Sequence, residues 1–134
     1  MLVTHLLCPI IVFRAILKTA WLDENQRITA NAFVHDPVRH PDGLSVNIAL
    51  ETNVEQWLSN FNMSYGADTL HCGRIRHLGL EVGYTEADLR QDVSHAVIVG
   101  LPSPDEDPKL AEDLATELVK MSRALDRTRR KKTR

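Results

Sequence analysis

Runs of apolar residues predict three strands of a buried sheet. Residues 10–16 (IIVFRAI) are mostly β-branched or aromatic, which is typical of a strand. Residues 44–50 alternate apolar and polar side chains, so we expect a strand with one buried face. Residues 96–100 (AVIVG) form a continuous apolar run that ends in glycine. Such a run is typical of an internal strand that is covered on both faces.

Apolar residues at helical spacing predict three helices. The first begins at Thr52, which forms a capping box with Glu55, and it carries apolar residues at positions 54, 57, 58 and 61. A shorter helix is predicted over 85–93, with Thr85 as its N-cap. The last helix follows Asp107, a suitable N-cap, and has leucine at positions 110, 114 and 118.

The order of the predicted elements indicates the fold class. Two further strands are predicted over 69–75 and 78–82. Strands therefore follow one another early in the chain instead of alternating with helices, which favours an α+β fold over a doubly wound α/β fold. We expect a single α+β domain over residues 1–126, with a mixed, mostly antiparallel sheet and an amphipathic C-terminal helix.

The charge of the chain is divided between an acidic body and a basic end. The 134 residues carry a formal net charge of −2, from 16 basic and 18 acidic side chains. Residues 127–134 hold six of the basic side chains and no acidic one, which leaves residues 1–126 with a net charge of −8. We predict that residues 127–134 form a basic, disordered tail, because like charges in one block repel.

The tail is the part of the chain that suits contact with nucleic acid. An acidic body does not attract nucleic acid over its folded surface, whereas lysine and arginine neutralise phosphates. The tail has no aromatic residue on which a base could stack. The candidate contact residues are Arg127, Arg129, Arg130, Lys131, Lys132 and Arg134.

Composition and cysteine usage favour a cytoplasmic globular protein. Hydrophobic residues make up 43% and charged residues 25% of the chain, unlike collagen-like or disordered chains. The two cysteines, Cys8 and Cys72, are too few for a disulfide framework. The apolar start of the chain is interrupted at Pro9 and Arg14, and it is too short to cross a bilayer. We therefore expect no membrane span and no export signal.

Two residues of the predicted strands are candidates for a binding or catalytic role. Arg14 lies inside an apolar strand, where a guanidinium must face solvent, meet a carboxylate or bind an anionic ligand. His95 precedes the strand over 96–100 and follows Asp92. It is either a general base or a histidine hydrogen-bonded at the sheet edge. The chain has no Gly-x-Ser-x-Gly motif, the setting of the nucleophile in α/β-hydrolases.

The histidines and cysteines do not form a recognisable metal site. His71, Cys72 and His77 lie close in sequence, but His71 and His77 stand roughly 20 Å apart on a continuous strand. A zinc ion needs each ligand atom within about 2.3 Å. His35 and His40 share a loop with two aspartates, where such residues usually cap turns. We predict no metal and no cofactor.

Short segments along most of the chain form a further pattern. They are 13–16 (FRAI), 27–29 (RIT), 32–33 (AF), 43–46 (GLSV), 95–100 (HAVIVG) and 115–123. These segments resemble a group of small bacterial proteins that have no assigned activity. The resemblance implies a compact, single-domain bacterial protein, and it transfers no catalytic residue. The basic tail is not part of the shared pattern.

Arg14 on an early strand and Ser45 on a later one match a second pattern. The pair is similar to ADP-ribosyltransferase-like domains, which place Arg or His on an early strand to hold NAD, and Ser or Thr on a later strand. The resemblance implies that Arg14 holds a nucleotide and that Ser45 lies beside it. The catalytic glutamate of that family has no counterpart in this chain.

Three functions remain open from the sequence. The first is a non-enzymatic bacterial accessory or binding module, whose acidic body binds a protein or a small ligand. The second is a small nucleotide-binding or ADP-ribosyltransferase-like enzyme, active or degenerate, that uses Arg14, Ser45 and His95. The third is a nucleic-acid-associated protein that relies on the tail. The chain lacks a phosphate-binding loop, a zinc-protease motif and a dinucleotide fingerprint, which favours the first function.

Overall fold

A single antiparallel sheet organises the described part of the chain. The computed structural model describes residues 4–6, 10–49, 65–91 and 94–126. The strands within these residues are β1 (Thr4–His5), β2 (Ile11–Ala15), β3 (Leu44–Ile48), β4 (Ala67–His71), β5 (Glu81–Tyr84), β6 (His95–Val99) and β7 (Arg123–Asp126). Their order across the sheet is β1-β5-β6-β3-β2-β4-β7, and every pairing between these strands is antiparallel.

Helical segments connect the described strands. The α-helices are α1 (Cys72–His77), α2 (Glu86–Gln91) and α3 (Pro108–Met121), and two 3₁₀ helices cover Thr19–Trp21 and Ala30–Phe33. Helix α3 begins as predicted, because the Asp107 carboxylate accepts a hydrogen bond from the Leu110 N–H at 3.1 Å. None of these helices is long and apolar enough to cross a membrane.

One face of the sheet packs against α3 and forms the main core. Val12, Val46 and Ile98, from three neighbouring strands, are almost fully buried there. Ala115 and Leu118 of α3 complete this core. Burying a side chain of the size of valine, leucine or isoleucine stabilises the fold by about 1.5–3 kcal/mol, so this layer holds β2, β3 and β6 in place.

The opposite face of the sheet carries the polar strand residues. Phe13 and Ala67 are fully buried there and form a second, smaller cluster. Phe13 pairs with Asn47, and Asn47 pairs with His95. These three side chains share a face, because directly opposed residues point the same way. Ser45 stands two residues from Asn47, so its side chain lies on this face too.

The fold class agrees with the sequence-based prediction. A sheet combined with helices in one domain is an α+β fold, and the strands predicted over 10–16, 44–50 and 96–100 correspond to β2, β3 and β6. Strand β6 is internal, with Ala96–Ile98 buried. The sequence predicts a mixed, mostly antiparallel sheet, and all pairings of the described strands are antiparallel.

The predictions for residues 69–82 are partly wrong. Strand β4 ends at His71 and α1 follows directly, where the apolar pattern predicts a strand to residue 75. The His71 ring accepts a hydrogen bond from the Gly73 N–H at 3.0 Å and caps the helix. Strand β5 then begins at Glu81, because residues 78–80 turn the chain with Gly79 at a φ of 84°.

The end of the described chain also differs from its prediction. The sequence predicts no strand after α3, yet β7 pairs with β4 at one edge of the sheet. This segment is exposed from Arg123 to Leu125, so no buried apolar pattern marks it as a strand. The helix predicted from Thr52 and the tail over 127–134 lie outside the described residues.

Candidate active site

Ser45 and His95 are joined by a short hydrogen bond between β3 and β6. The Ser45 Oγ lies 2.6 Å from His95 Nε2. The pair is partly buried, and the His95 side chain keeps 29% of its surface exposed. Ser45 is itself only partly buried, so solvent reaches part of this pair.

Asp88 binds the other ring nitrogen of His95. Its Oδ1 lies 2.6 Å from His95 Nδ1, and its side chain is only 10% exposed. An ionised carboxylate can only accept hydrogen bonds, so Nδ1 carries the proton and donates it. In the neutral ring, Nε2 then has a lone pair and accepts from the Ser45 O–H. The chain of hydrogen bonds therefore runs from Ser45 through His95 to Asp88.

The first turn of α2 fixes the position of Asp88. Thr85 Oγ1 accepts from the Asp88 N–H at 3.1 Å, and Asp88 Oδ2 accepts from the Thr85 N–H at 2.9 Å. This reciprocal pair is a capping box, and it confirms Thr85 as the predicted N-cap. One carboxylate oxygen therefore caps the helix while the other binds His95. Both oxygens have partners, which offsets the cost of burying the charge.

Asn47 strengthens the strand pairing beside the site. Its Nδ2 donates to the carbonyl oxygen and the hydroxyl of Ser94, each at 3.4 Å. The Ile48 N–H also donates to the Ser94 carbonyl, at 2.7 Å. These bonds hold the start of β6 against β3, and they keep His95 next to Ser45.

Arg14 contacts Ser45 through the main chain. Its Nη1 donates to the Ser45 carbonyl at 2.8 Å, and its Nε donates to the Ala32 carbonyl at 2.9 Å. The guanidinium lies 4.8 Å from the centre of the Trp21 ring, within cation–π range. Alternation along β2 places Arg14 on the core face together with Val12. Burial lowers the pKa of Arg14 to about 10, so the guanidinium is charged at neutral pH.

Two of the three predicted ligand-binding residues are in side-chain contact. Ser45 and His95 meet directly, whereas the Arg14 guanidinium lies on the other face of the sheet and binds two carbonyl groups. Ligand binding by Arg14, Ser45 and His95 stays a prediction. So does the role in holding a nucleotide that the resemblance to ADP-ribosyltransferase-like domains implies for Arg14.

Asp88 is the functional candidate that sequence reasoning missed. Asp92 is the carboxylate nearest to His95 in the sequence, and it lies outside the described residues. The signal for Asp88 is the spacing Thr85-x-x-Asp88, which forms a capping box at the start of a short helix. That helix ends shortly before β6, so its first turn can face the residue that opens the strand.

The three residues considered for metal binding are placed differently from the sequence expectation. His71, Cys72 and His77 lie at the start and the end of α1, not along a continuous strand. Cys72 is buried in the main core. No group of three or more histidine, cysteine, aspartate or glutamate side chains suited to a metal ion occurs among the described residues.

The site has the geometry of a catalytic triad. A nucleophile within hydrogen-bond reach of a base, which is in turn oriented by a third group, is the signature of an activated hydroxyl. Triads are recognised by geometry and roles, not by sequence order, and the order here is Ser45, Asp88, His95. A hydroxyl so placed can attack a carbonyl carbon while its proton passes to His95 Nε2.

Comparisons with known proteins give no assignment. The chain matches no protein-family model, no curated protein and no solved structure. The geometry of Ser45, His95 and Asp88 is therefore the basis for a functional proposal.

Proposed function

We propose that the protein is a small serine-dependent hydrolase that acts on acyl esters. The observation that carries the proposal is the unbroken pair of 2.6 Å hydrogen bonds from Ser45 through His95 to Asp88. Each group has the partner that its role requires: the serine has a base, and the base has a carboxylate that fixes its tautomer.

The proposed reaction proceeds in two steps through Ser45. In the first step, Oγ bonds to the acyl carbon, the Oγ proton passes to His95 Nε2, and the alcohol leaves with that proton. In the second step, water gives a proton to His95 and its oxygen attacks the acyl-serine. The carboxylic acid is released, and Ser45 recovers its proton from His95. Asp88 positions the ring and stabilises its protonated form.

The place of Ser45 in the sheet favours a small substrate. Ser45 lies within a strand, between β6 and β2, not on the sharp strand-to-helix turn that exposes the nucleophile of α/β-hydrolases. The residue is half-buried. A short, unbranched acyl group therefore reaches its hydroxyl more easily than a bulky one.

Hydrolysis of p-nitrophenyl acetate tests the proposal. We expect turnover by the wild-type protein, with an initial burst if deacylation is slow. Ser45→Ala should lower the rate by at least about 10³-fold. The matched control is Ser122→Ala, because the Ser122 hydroxyl bonds the Val119 carbonyl at the end of α3 and should leave the rate unchanged. Equal rates for Ser45→Ala and the wild type contradict the proposal.

The other functions predicted from the sequence remain hypotheses beside this one. They are the binding module, the nucleotide-binding enzyme and nucleic-acid contact through the tail. The bacterial origin and the cytoplasmic location are likewise part of the proposal. Cys72 is a reduced thiol in the structure, which supports such a location because disulfides are rare in a reducing compartment.

A further inference from the structure

Two adjoining cavities form a groove beside β4 and the start of β7, near one edge of the sheet and away from the proposed hydrolase site. Their volumes are about 230 Å³ and 490 Å³, and they share His71, Arg74 and Met121. We call this surface the basic groove and define it by Ile11, His71, Arg74, His77, Met121 and Arg123.

Positive charge is concentrated in the basic groove. Among the residues that the structure describes, no acidic side chain lines either cavity. Arg74 and Arg123 are exposed, and their guanidinium groups form no ion pair with any side chain in the described ranges. These two cations lie on a body, residues 1–126, whose net charge is −8.

The groove also has an apolar wall. Ile11 is 41% exposed although it lies in a central strand. Met121 and Leu78 line the cavities next to it and are only partly buried. Apolar surface beside unpaired cations suits a ligand with an anionic group at one end and an apolar part at the other.

We propose that the basic groove binds a small phosphate monoester that carries an apolar group. A doubly charged phosphate can engage both guanidinium groups, and the fork of N–H donors of arginine matches its oxygens. His77 can add a further donor. The apolar group then covers Ile11 and Met121.

The groove and the proposed hydrolase site are separate. Phe13 pairs with Asn47 in the antiparallel ladder, so Ile11 and Ser45 lie on opposite sides of that pair along the strands. The fully buried Phe13 side chain stands between them on the same face. Either site can therefore exist without the other.

Titration calorimetry with phenyl phosphate tests the groove. We expect binding by the wild-type protein, and a loss of affinity of about tenfold or more for Arg74→Ala and for Arg123→Ala. Arg39→Ala is the matched control, because Arg39 is exposed in a loop and lines neither cavity. It should bind like the wild type. Since Arg74 and Arg123 are exposed, both variants should fold, which circular dichroism verifies.

Two further probes separate the two halves of the ligand. Inorganic phosphate lacks the apolar group and phenol lacks the charge, so each should bind more weakly than phenyl phosphate. Failure of phenyl phosphate to bind at millimolar concentration, or binding that Arg74→Ala and Arg123→Ala leave unchanged, overturns the proposal. Inorganic phosphate binding as tightly as phenyl phosphate contradicts the role of the apolar wall.

Discussion

Ser45 and His95 lie on neighbouring antiparallel strands but are not register partners. Ser45 pairs with Val97, and His95 pairs with Asn47, so the hydroxyl and the imidazole meet across a diagonal of the ladder. Diagonal neighbours on one face stand about 7–8 Å apart at their Cα atoms, a distance that a histidine side chain can span. The contact therefore depends on the register of β3 against β6.

Gly43 directly precedes β3, at a point where its backbone lies close to β6. We therefore expect Gly43→Ala to destabilise the fold strongly. Its φ is 140°, and an added Cβ would stand 2.6 Å from the Ile98 carbonyl oxygen. We expect a loss of about 3 kcal/mol or more in the free energy of unfolding. Gly79→Ala is the control, because Gly79 has a φ of 84° but open space around it, and backbone strain alone costs about 1–2 kcal/mol. Urea unfolding measures both, and equal losses would contradict the steric argument.

Arg14 stabilises the fold by joining the 3₁₀ helix at Ala32 to β3. Arg14→Ala removes donors from the carbonyl groups of Ala32 and Ser45, and we expect it to lower the free energy of unfolding by about 2–4 kcal/mol. Arg14→Lys keeps the charge but cannot reproduce the forked geometry, so it should recover less than half of the loss. Chemical denaturation provides the values. Wild-type stability in Arg14→Ala would exclude this structural role.

The Glu81 carboxyl makes part of the free energy of unfolding dependent on pH. Desolvation raises the pKa of the Glu81 carboxyl. Hydrogen bonds from the Val82 N–H, Arg76 and His5, together with the charge of Arg76, lower the pKa by more than desolvation raises it, so the net shift is downward. A carboxyl with a lowered folded-state pKa stabilises the fold above its unfolded-state pKa. That contribution is lost as the pH falls through the folded-state value.

Glu81→Gln should therefore be less stable than the wild type near neutral pH. The difference between the two should shrink between about pH 5 and pH 2, and thermal unfolding across this range measures it. Glu86→Gln is a suitable control because Glu86 is exposed and its Arg90 partner is 3.9 Å away. A difference that stays constant with pH would exclude the titration of Glu81 as its source.

Asp88→Asn tests whether the carboxylate positions His95 for catalysis. An amide can donate to Nδ1, which would leave Nε2 protonated and unable to accept the Ser45 proton. We expect kcat for p-nitrophenyl acetate to fall by roughly 10³- to 10⁴-fold. The residual rate should rise with hydroxide concentration, because hydroxide replaces the lost base. A wild-type pH–rate profile in Asp88→Asn would assign Asp88 to the helix cap alone.

Local patterns in the sequence account for most of the sheet. Strands β2, β3 and β6 carry strong apolar signals, and Asp107 marks the start of α3. The segment after β4 was harder to predict, because Ile75 and its neighbours suit a strand as well as a helix. The cap from His71 to the Gly73 N–H decides in favour of α1, and histidine is not among the usual N-cap residues.

The candidate site is partly visible in the sequence. Ser45 and His95 were singled out there, but they stand 50 residues apart, and no local pattern gives the register of β3 against β6. Asp88 has a second role in the cap of α2. In the sequence, a carboxylate three positions after Thr85 indicates only such a helix cap, so nothing there links Asp88 to His95. The apolar residues around Arg14 mark it as unusual in the sequence. Its partners are carbonyl oxygens, which every residue carries and which no sequence pattern distinguishes.

The central claim is that His95 activates the Ser45 hydroxyl. Its most direct test is the reaction of the folded protein with a fluorophosphonate, followed by intact-mass measurement and peptide mapping. We expect one adduct per wild-type chain, located on Ser45, the same adduct in Ser122→Ala, and no adduct in Ser45→Ala. A folded wild-type protein that remains unlabelled, or an adduct that forms equally in Ser45→Ala, would contradict the claim.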